Sequence, residues 1–213
     1  MDINSVCHIV GAGDFFGMEK PKENDFVIAA DGGLKYLKNL GIKADLVIGD
    51  FDSYGSIPTS ENVIGLPCEK DDTDTAAAVM EAVKMGYKNF VLHGMTGGRF
   101  DHTVANLQLI ARITKAGMKA SIDAGDNTYT SLTNGKIKLS SLDGGYISVF
   151  SHSDVSKGVS IKNLKYEVEN VELQNSVALG VSNEFKGEDA FIEVKNGTLL
   201  IIHPSTSKVS YLD

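Results

Sequence analysis

Near Gly125 the hydrophobic pattern of this 213-residue chain changes, and with it the kind of structure each half can form. Before that point, short apolar runs alternate with segments of helical period, the pattern of a mainly parallel sheet covered by helices. Strands are predicted at Val6–Val10, Phe26–Ala30, Leu46–Ile48, Val63–Leu66, Phe90–His93 and Lys119–Asp123. Between them, Leu34–Leu40 ends at Gly41, a residue suited to a helix C-terminus. The segment from Asp74 to Met85 sets Ala76, Val79, Met80 and Val83 at i, i+3, i+4 and i+7 and stops at Gly86. His102 to Ala116 carries Val104, Leu107, Ile110 and Ala111 on one face and stops at Gly117.

After Gly125 the period becomes two. The segments IKLSSL, YISVFSH, VSIKNLKYEV, ALGVSNEF and AFIEVKNGTLLIIH are divided by Asn134-Gly135, Gly144-Gly145, Lys186-Gly187 and Asn196-Gly197. Asn196-Gly197, between AFIEVK and TLLIIH, predicts a two-residue hairpin turn. The expected fold class is therefore α/β plus all-β. An N-terminal, mainly parallel α/β sheet domain takes residues 1–126, and a C-terminal β-sandwich domain takes residues 127–213.

In an open parallel sheet, ligands bind beyond the carboxyl ends of the strands. The acidic residues gather there. Asp31 follows VIAA, Asp50 and Asp52 follow LVIG, and Asp71, Asp72 and Asp74 lie between the VIGL strand and the next helix. Gly97-Gly98-Arg99-Phe100-Asp101-His102 follows the VLH strand. Each loop also has a purely structural reading. Thr73 and its acids can cap a helix, Asp31-Gly32-Gly33 can be a turn, and Arg99 with Asp101 can be an ion pair. Independent caps and turns need not converge on one rim, however, and four of these loops do. If extended geometry persists through Asp50 and Asp52, both point to one side, roughly 6–7 Å apart at the α-carbons. Two carboxylates that close repel unless something sits between them. A divalent cation bridged to a polyphosphate would, since Mg²⁺ binds through one or two carboxylates plus substrate phosphates. Arg99 offers a forked donor to phosphate, so the chemistry points to phosphoryl or pyrophosphoryl transfer.

The formal charge of −8 argues against a nucleic-acid or anionic-membrane partner. No apolar stretch approaches the ~18 residues of a membrane-spanning helix. Cys7 and Cys68 lack metal-ligand spacing, and the N-terminus lacks a basic, then apolar, leader pattern; a cytoplasmic protein is expected.

Other nucleotide signatures fit less well. No G-x-x-x-x-G-K-[ST] run occurs. Gly11-Ala12-Gly13, with Asp31 twenty residues beyond Gly11, looks like a dinucleotide loop, but the third glycine would be wanted at Phe16. A nicotinamide-dependent oxidoreductase using that loop is the first rival reading, and a non-catalytic sensor of nucleotide or substrate, built on the same scaffold, the second. An EF-hand over Asp71–Asp74 fails at Ala76 and Ala82. His8, His93, His152 and His203 fall in strand-like runs and read as structural residues.

Taken in order, Asp31-Gly32-Gly33, Gly49-Asp50-Phe51-Asp52-Ser53, Lys70-Asp71-Asp72-Thr73-Asp74, Gly97-Gly98-Arg99-Phe100-Asp101-His102 with Asn106, and Val181-Ser182-Asn183-Glu184-Phe185 resemble the thiamine pyrophosphokinase family. The resemblance implies an ATP:thiamine diphosphotransferase, with thiamine's hydroxyl attacking the β-phosphorus of ATP and AMP leaving. It also implies a homodimer whose active sites draw on the α/β domain of one subunit and the β domain of the other. Asp31, Asp50, Asp52 and Asp74 would handle Mg²⁺ and phosphates. Asp71, Thr73, Arg99, Asp101, His102 and Asn106 would surround nucleotide or transferring group, and Ser182 with Asn183 would serve thiamine. Asp74 and Asp101 are the candidates for accepting the hydroxyl proton. The chain has no Trp, and His203 or Tyr211 would have to replace an aromatic partner of the thiamine ring.

Overall fold

The computed structural model describes residues 5–50, 62–67 and 72–212. By their contacts these residues form two compact units. One holds the described residues up to Leu109 with Ile122–Gly125; the other holds Ile110–Ser121 and the described residues from Asp126 on.

In the first unit, β1 (Val6–Val10), β2 (Phe26–Ala30), β3 (Leu46–Gly49), β4 (Val63–Gly65) and β5 (Asn89–His93) pair in parallel, in the order β5-β1-β2-β3-β4. All four residues of β3 are buried, as a strand covered on both faces requires. Helix α1 (Gly33–Leu40) packs on β1 and β2, and α2 (Asp74–Lys84) packs on β1, β2 and β3. Leu34 and Leu37 of α1 join Val10, Val27, Ala29, Ala44 and Val47 in one apolar cluster. Burying a leucine this completely stabilises the fold by about 1.5–3 kcal/mol.

Helix ends follow local chemistry. Gly41 takes the left-handed conformation (φ 66°) that closes α1. At the start of α2, Thr73 Oγ1 accepts the Ala76 N–H at 3.2 Å. Helix α3 (Phe100–Lys115) and β6 (Lys119–Ala124) both cross the boundary between the units. Among the described residues no helix is long and apolar enough to cross a membrane.

The second unit contains β7 (Asn127–Leu139), β8 (Tyr146–Ser151), β9 (Val155–Lys162), β10 (Val168–Gln174), β11 (Gly180–Glu184), β12 (Ala190–Pro204) and β13 (Val209–Leu212). Its pairings are antiparallel. Here the predicted hairpin at Asn196-Gly197 does not form, because β12 runs straight through it for 15 residues. Asn134-Gly135 likewise lies inside β7.

The two Asn-Gly pairs face each other. Register passes from Val194↔Gly135 to Thr198↔Thr133, so three residues of β12 stand opposite Asn134 alone. Asn134, at φ 46°, accepts the Gly197 N–H on Oδ1 at 2.8 Å. The surplus is absorbed as a bulge rather than a turn.

Beyond the bulge β12 changes partner. Phe191, Ile192 and Glu193 pair with β9, whereas Leu199–Ile202 pair with β8. Strand β10 extends the first group and β11 the second. One apolar core, including Ile137, Leu139, Ile147, Val149, Val159, Ile161, Ile192 and Ile201, draws on both groups.

Candidate active site

The strand order of the first unit reverses at β1. The chain runs from β1 out to β4 and then returns to place β5 on the other side of β1. A crevice is expected beyond the carboxyl ends of strands at such a switch point. The structure has a cleft of about 220 Å³ there. Ala12 and Gly13 line it from the loop after β1, Gly94–Arg99 from the loop after β5, Thr75 from the first turn of α2, and His102 and Asn106 from α3.

Close approach of two backbones builds the floor. Gly11 N–H donates to His93 O at 2.8 Å, Gly13 N–H to Gly94 O at 2.8 Å and Asp14 N–H to Thr96 O at 2.7 Å. A β-carbon on Gly13 would stand 2.5 Å from Thr96 O, and one on Gly94 (φ 66°) 2.6 Å from Gly11 O. Only glycine fits. This is the use of Gly11-Ala12-Gly13, and it removes the dinucleotide-loop reading. No helix follows the loop; the next regular element is β2, so no helix N-terminus faces a pyrophosphate.

Asp31 and Asp50 stand at the ends of neighbouring strands. Asp31 N–H donates to Ile48 O at 2.8 Å, and the α-carbon of Asp31 lies so near Gly49 that a β-carbon there would meet it at 3.2 Å. Asp31 adopts φ 46°, an uncommon conformation for a residue other than glycine, and both aspartates are half-buried. Asp74 opens α2 and is also half-buried. Asp52 and Asp71 lie outside the described residues. Among the described residues no three carboxylate, His or Cys side chains come together closely enough to hold a metal ion, so Asp31, Asp50 and Asp74 are not gathered into one ligand group; their oxygens are of the kind that suits a hard divalent cation.

Thr73 uses its hydroxyl to cap α2, and Thr75, two residues on, faces the cleft. Arg99 and Asp101 form a two-point pair, Nη2–Oδ2 2.6 Å and Nε–Oδ1 3.3 Å, with both side chains exposed. The hydrogen bonds from Arg99 hold the Asp101 carboxyl below its usual range, so Asp101 is a weak proton acceptor and a good orienter of the guanidinium. His102 is exposed on the cleft. Asn106 is buried and donates from Nδ2 to Met95 O at 2.9 Å, which pins the loop after β5.

Ser182 and Asn183 belong to the second unit. Ser182 is exposed at φ 58°. Asn183 is buried, with Nδ2 donating to Tyr166 O at 2.6 Å and Oδ1 accepting the N–H groups of Tyr166 and Glu184. Asn183 therefore holds the irregular stretch of β11 that displays Ser182. His203 is 1% exposed, and its Nδ1–H donates to Pro204 O at 3.0 Å while Nε2 meets Thr130 Oγ1 at 3.1 Å. With its polar atoms engaged it offers no open face to a ligand ring. Tyr211 is half-buried beneath the Lys119 ammonium, 4.7 Å from the ring centre, and burial pushes its hydroxyl up to about 12.

Residues 19–122 match the catalytic domain of thiamin pyrophosphokinase, and residues 135–199 match its vitamin B1 binding domain. The chain belongs to the thiamin pyrophosphokinase family. Over 187 residues it is 26% identical to the thiamine pyrophosphokinase of Bacillus subtilis, covering 84% of this chain and 87% of that one. The crystal structure of the Bacillus subtilis enzyme has the same fold, with a TM-score of 0.83 at 24% identity over 94% of this chain and 99% of that one. A family protein from Enterococcus faecalis gives 0.80 at 25% identity over 95% and 99%. Within this family frame, Thr75, Met95 and Thr96 are cleft residues that sequence reasoning missed. The available signal was adjacency: Thr75 follows Asp74 in a first helical turn, and Met95-Thr96 precedes Gly97-Gly98.

Proposed function

We propose that this protein transfers the pyrophosphoryl group of ATP to thiamine, as an ATP:thiamine diphosphotransferase. The hydroxyl oxygen of thiamine bonds to the β-phosphorus, the bond from that phosphorus to the oxygen bridging it to the α-phosphorus breaks, AMP leaves with the bridging oxygen, and the hydroxyl proton is released. The observation that carries this reading is the cleft at the β1/β5 switch point, whose Thr75, Gly94–Arg99, His102 and Asn106 fall within the residues that match the family's catalytic domain.

The chain's own residues divide the work. Gly97 and Gly98 present backbone at the cleft wall, Arg99 binds a phosphate as a fork oriented by Asp101, and Asn106 keeps that wall in register. Asp31, Asp50 and Asp74, with Asp52, would hold Mg²⁺. Bound there, the cation would neutralise charge on the phosphate oxygens during in-line displacement. Asp74 and Asp101 are the candidates for taking the hydroxyl proton, and the pair with Arg99 weakens Asp101 as an acceptor.

The second unit, residues 127–213 in this reading, is a β-sandwich whose Ser182, on β11, serves thiamine across a homodimer. The enzyme acts in the cytoplasm.

Mixing the purified protein with ATP, thiamine and Mg²⁺ and separating the nucleotides tests the proposal. AMP and thiamine diphosphate are expected in equal amounts. ADP as the product would overturn pyrophosphoryl transfer, and tight binding without AMP would return the sensor reading.

A further inference from the structure

Glycine lets the loop after β1 touch the loop after β5, and it leaves the same loop loose. Gly11 and Gly13 have no side chain to restrict their backbone, so a precise wall needs a restraint from outside. Tyr36 supplies one. From α1, 23 residues along the chain, its hydroxyl donates to Gly13 O at 2.9 Å. A carbonyl can only accept, so the direction of that bond is fixed. Gly13 N–H meanwhile donates to Gly94 O at 2.8 Å, so the two ends of one residue are held by α1 and by the loop after β5.

The ring that carries the hydroxyl is itself fixed. Tyr36 is half-buried and stacks on Phe15, with ring centres 4.8 Å apart and planes at 12°. Both rings pack against the apolar cluster that holds Leu34 and Leu37. The helix also lies flush against the loop. A β-carbon on Gly33 would run into Val10 O, and one on Gly32 would stand 3.0 Å from the β-carbon of Ala12. The turn that bears Asp31 leads directly into α1, with Leu34 N–H reaching the Asp31 carbonyl at 3.4 Å. Tyr36 therefore stands between the acidic turn and the cleft wall, while lying outside the cleft lining.

We propose that Tyr36 is a positioning residue: its hydroxyl, rather than its ring, sets the cleft wall against the acidic turn by tying α1 to Gly13. Removing the oxygen leaves the stack and the fold, and frees the Gly13 peptide on one side. Gly13 and Asp14, which donate to Gly94 O and Thr96 O, then lose their fixed aim. The consequence for nucleotide rests on the pyrophosphotransfer reading; the tether itself does not.

Two variants of the full chain test this. Tyr36→Phe deletes only that oxygen. Leu37→Val trims the buried core under the same helix and keeps the hydroxyl, so it controls for lost stability. Amide hydrogen exchange, resolved by residue, is the first readout. Tyr36→Phe should speed exchange at Gly13 and Asp14 by about 3- to 10-fold relative to Ile9 and Leu92 in the adjoining strands, the ratio that a hydrogen bond of ordinary net strength supplies. Rates at Gly13 and Asp14 that keep pace with the strands would overturn the tether. So would an equal selective rise in Leu37→Val.

Steady-state kinetics give the second readout. In Tyr36→Phe the KM for ATP should rise by about 3- to 10-fold with a smaller change in kcat. Leu37→Val should lower the thermal unfolding midpoint and leave that KM within about twofold. A KM that follows stability in both variants would refute the positioning role. Absence of AMP formation by the unaltered protein would sink the activity, and the exchange rates would then decide the tether alone.

Discussion

Glycine does opposite things in the two units. In the α/β unit, Gly13 and Gly94 remove side chains so that the loops after β1 and β5 can touch, and a cleft opens where they diverge. In the β unit, Gly197 removes one so that three residues of β12 can crowd opposite Asn134 and past Ser156, and a sheet interior is kept continuous. A β-carbon is refused with equal force in both places, at 2.5 Å from Thr96 O in the first and 2.7 Å from Ser156 Oγ in the second. The lesson is that close backbone approach makes a site only where strands end; in mid-strand it makes a change of partner.

Substitutions can break that comparison or refine it. Asp50→Asn, at the rim, should lower kcat/KM for AMP formation by about 10²-fold or more while leaving the thermal unfolding midpoint unmoved, since it removes charge without volume. Retained activity would detach the acidic rim from the chemistry. Gly13→Ala and Gly197→Ala form the paired test. Each should destabilise by about 1–3 kcal/mol through overpacking, measured by urea unfolding. Gly13→Ala should also cost most of the activity, whereas the folded fraction of Gly197→Ala should turn over normally. Equal losses of activity in both would erase the distinction between rim and bulge.

A smaller effect comes from pH. His203 is held neutral chiefly by burial, so its folded pKa lies below the ordinary 6.5. The unfolded chain then binds the proton more readily. Stability from this group is complete above pH 6.5 and declines as pH falls from there through the folded value, by up to about 1.4 kcal/mol per pH unit. The Pro204 carbonyl, which accepts from Nδ1–H, pulls the other way but does not overcome burial. His203→Gln should flatten this acid limb in urea titrations across pH, and an unchanged limb would locate it elsewhere. The smallest stability effect belongs to Asp101→Asn. Its pair with Arg99 is exposed, so the thermal midpoint should not move, while KM for ATP rises as the guanidinium loses its orienter.

Much of the α/β unit was legible beforehand because its signals are local. Strands such as Leu46-Val47-Ile48 are buried on both faces, and helices end at glycines whose left-handed conformation needs no distant partner. The placement of Asp31, Asp50 and Asp74 was legible for the same reason, since the first two follow strands and the third opens a helix. Asn196-Gly197 misled because a turn and a bulge use the same dipeptide, and the choice lay with Asn134, 62 residues away in the chain. The burial of Asn183 and His203 was not legible, because Tyr166 and Thr130, which hold them, are not their neighbours in the chain.

By itself, then, the amino-acid order determined which segments become strands or helices, where acidic loops leave them, and which family the chain resembles. Hydrophobic period, helix caps and motif order are properties of neighbouring residues. The tertiary structure alone decided that Gly11 and Gly13 strap two loops together, that β12 passes from β9 to β8, and that the rings of His8 and His93 meet. Those outcomes depend on which backbones meet, and no local pattern encodes the meeting.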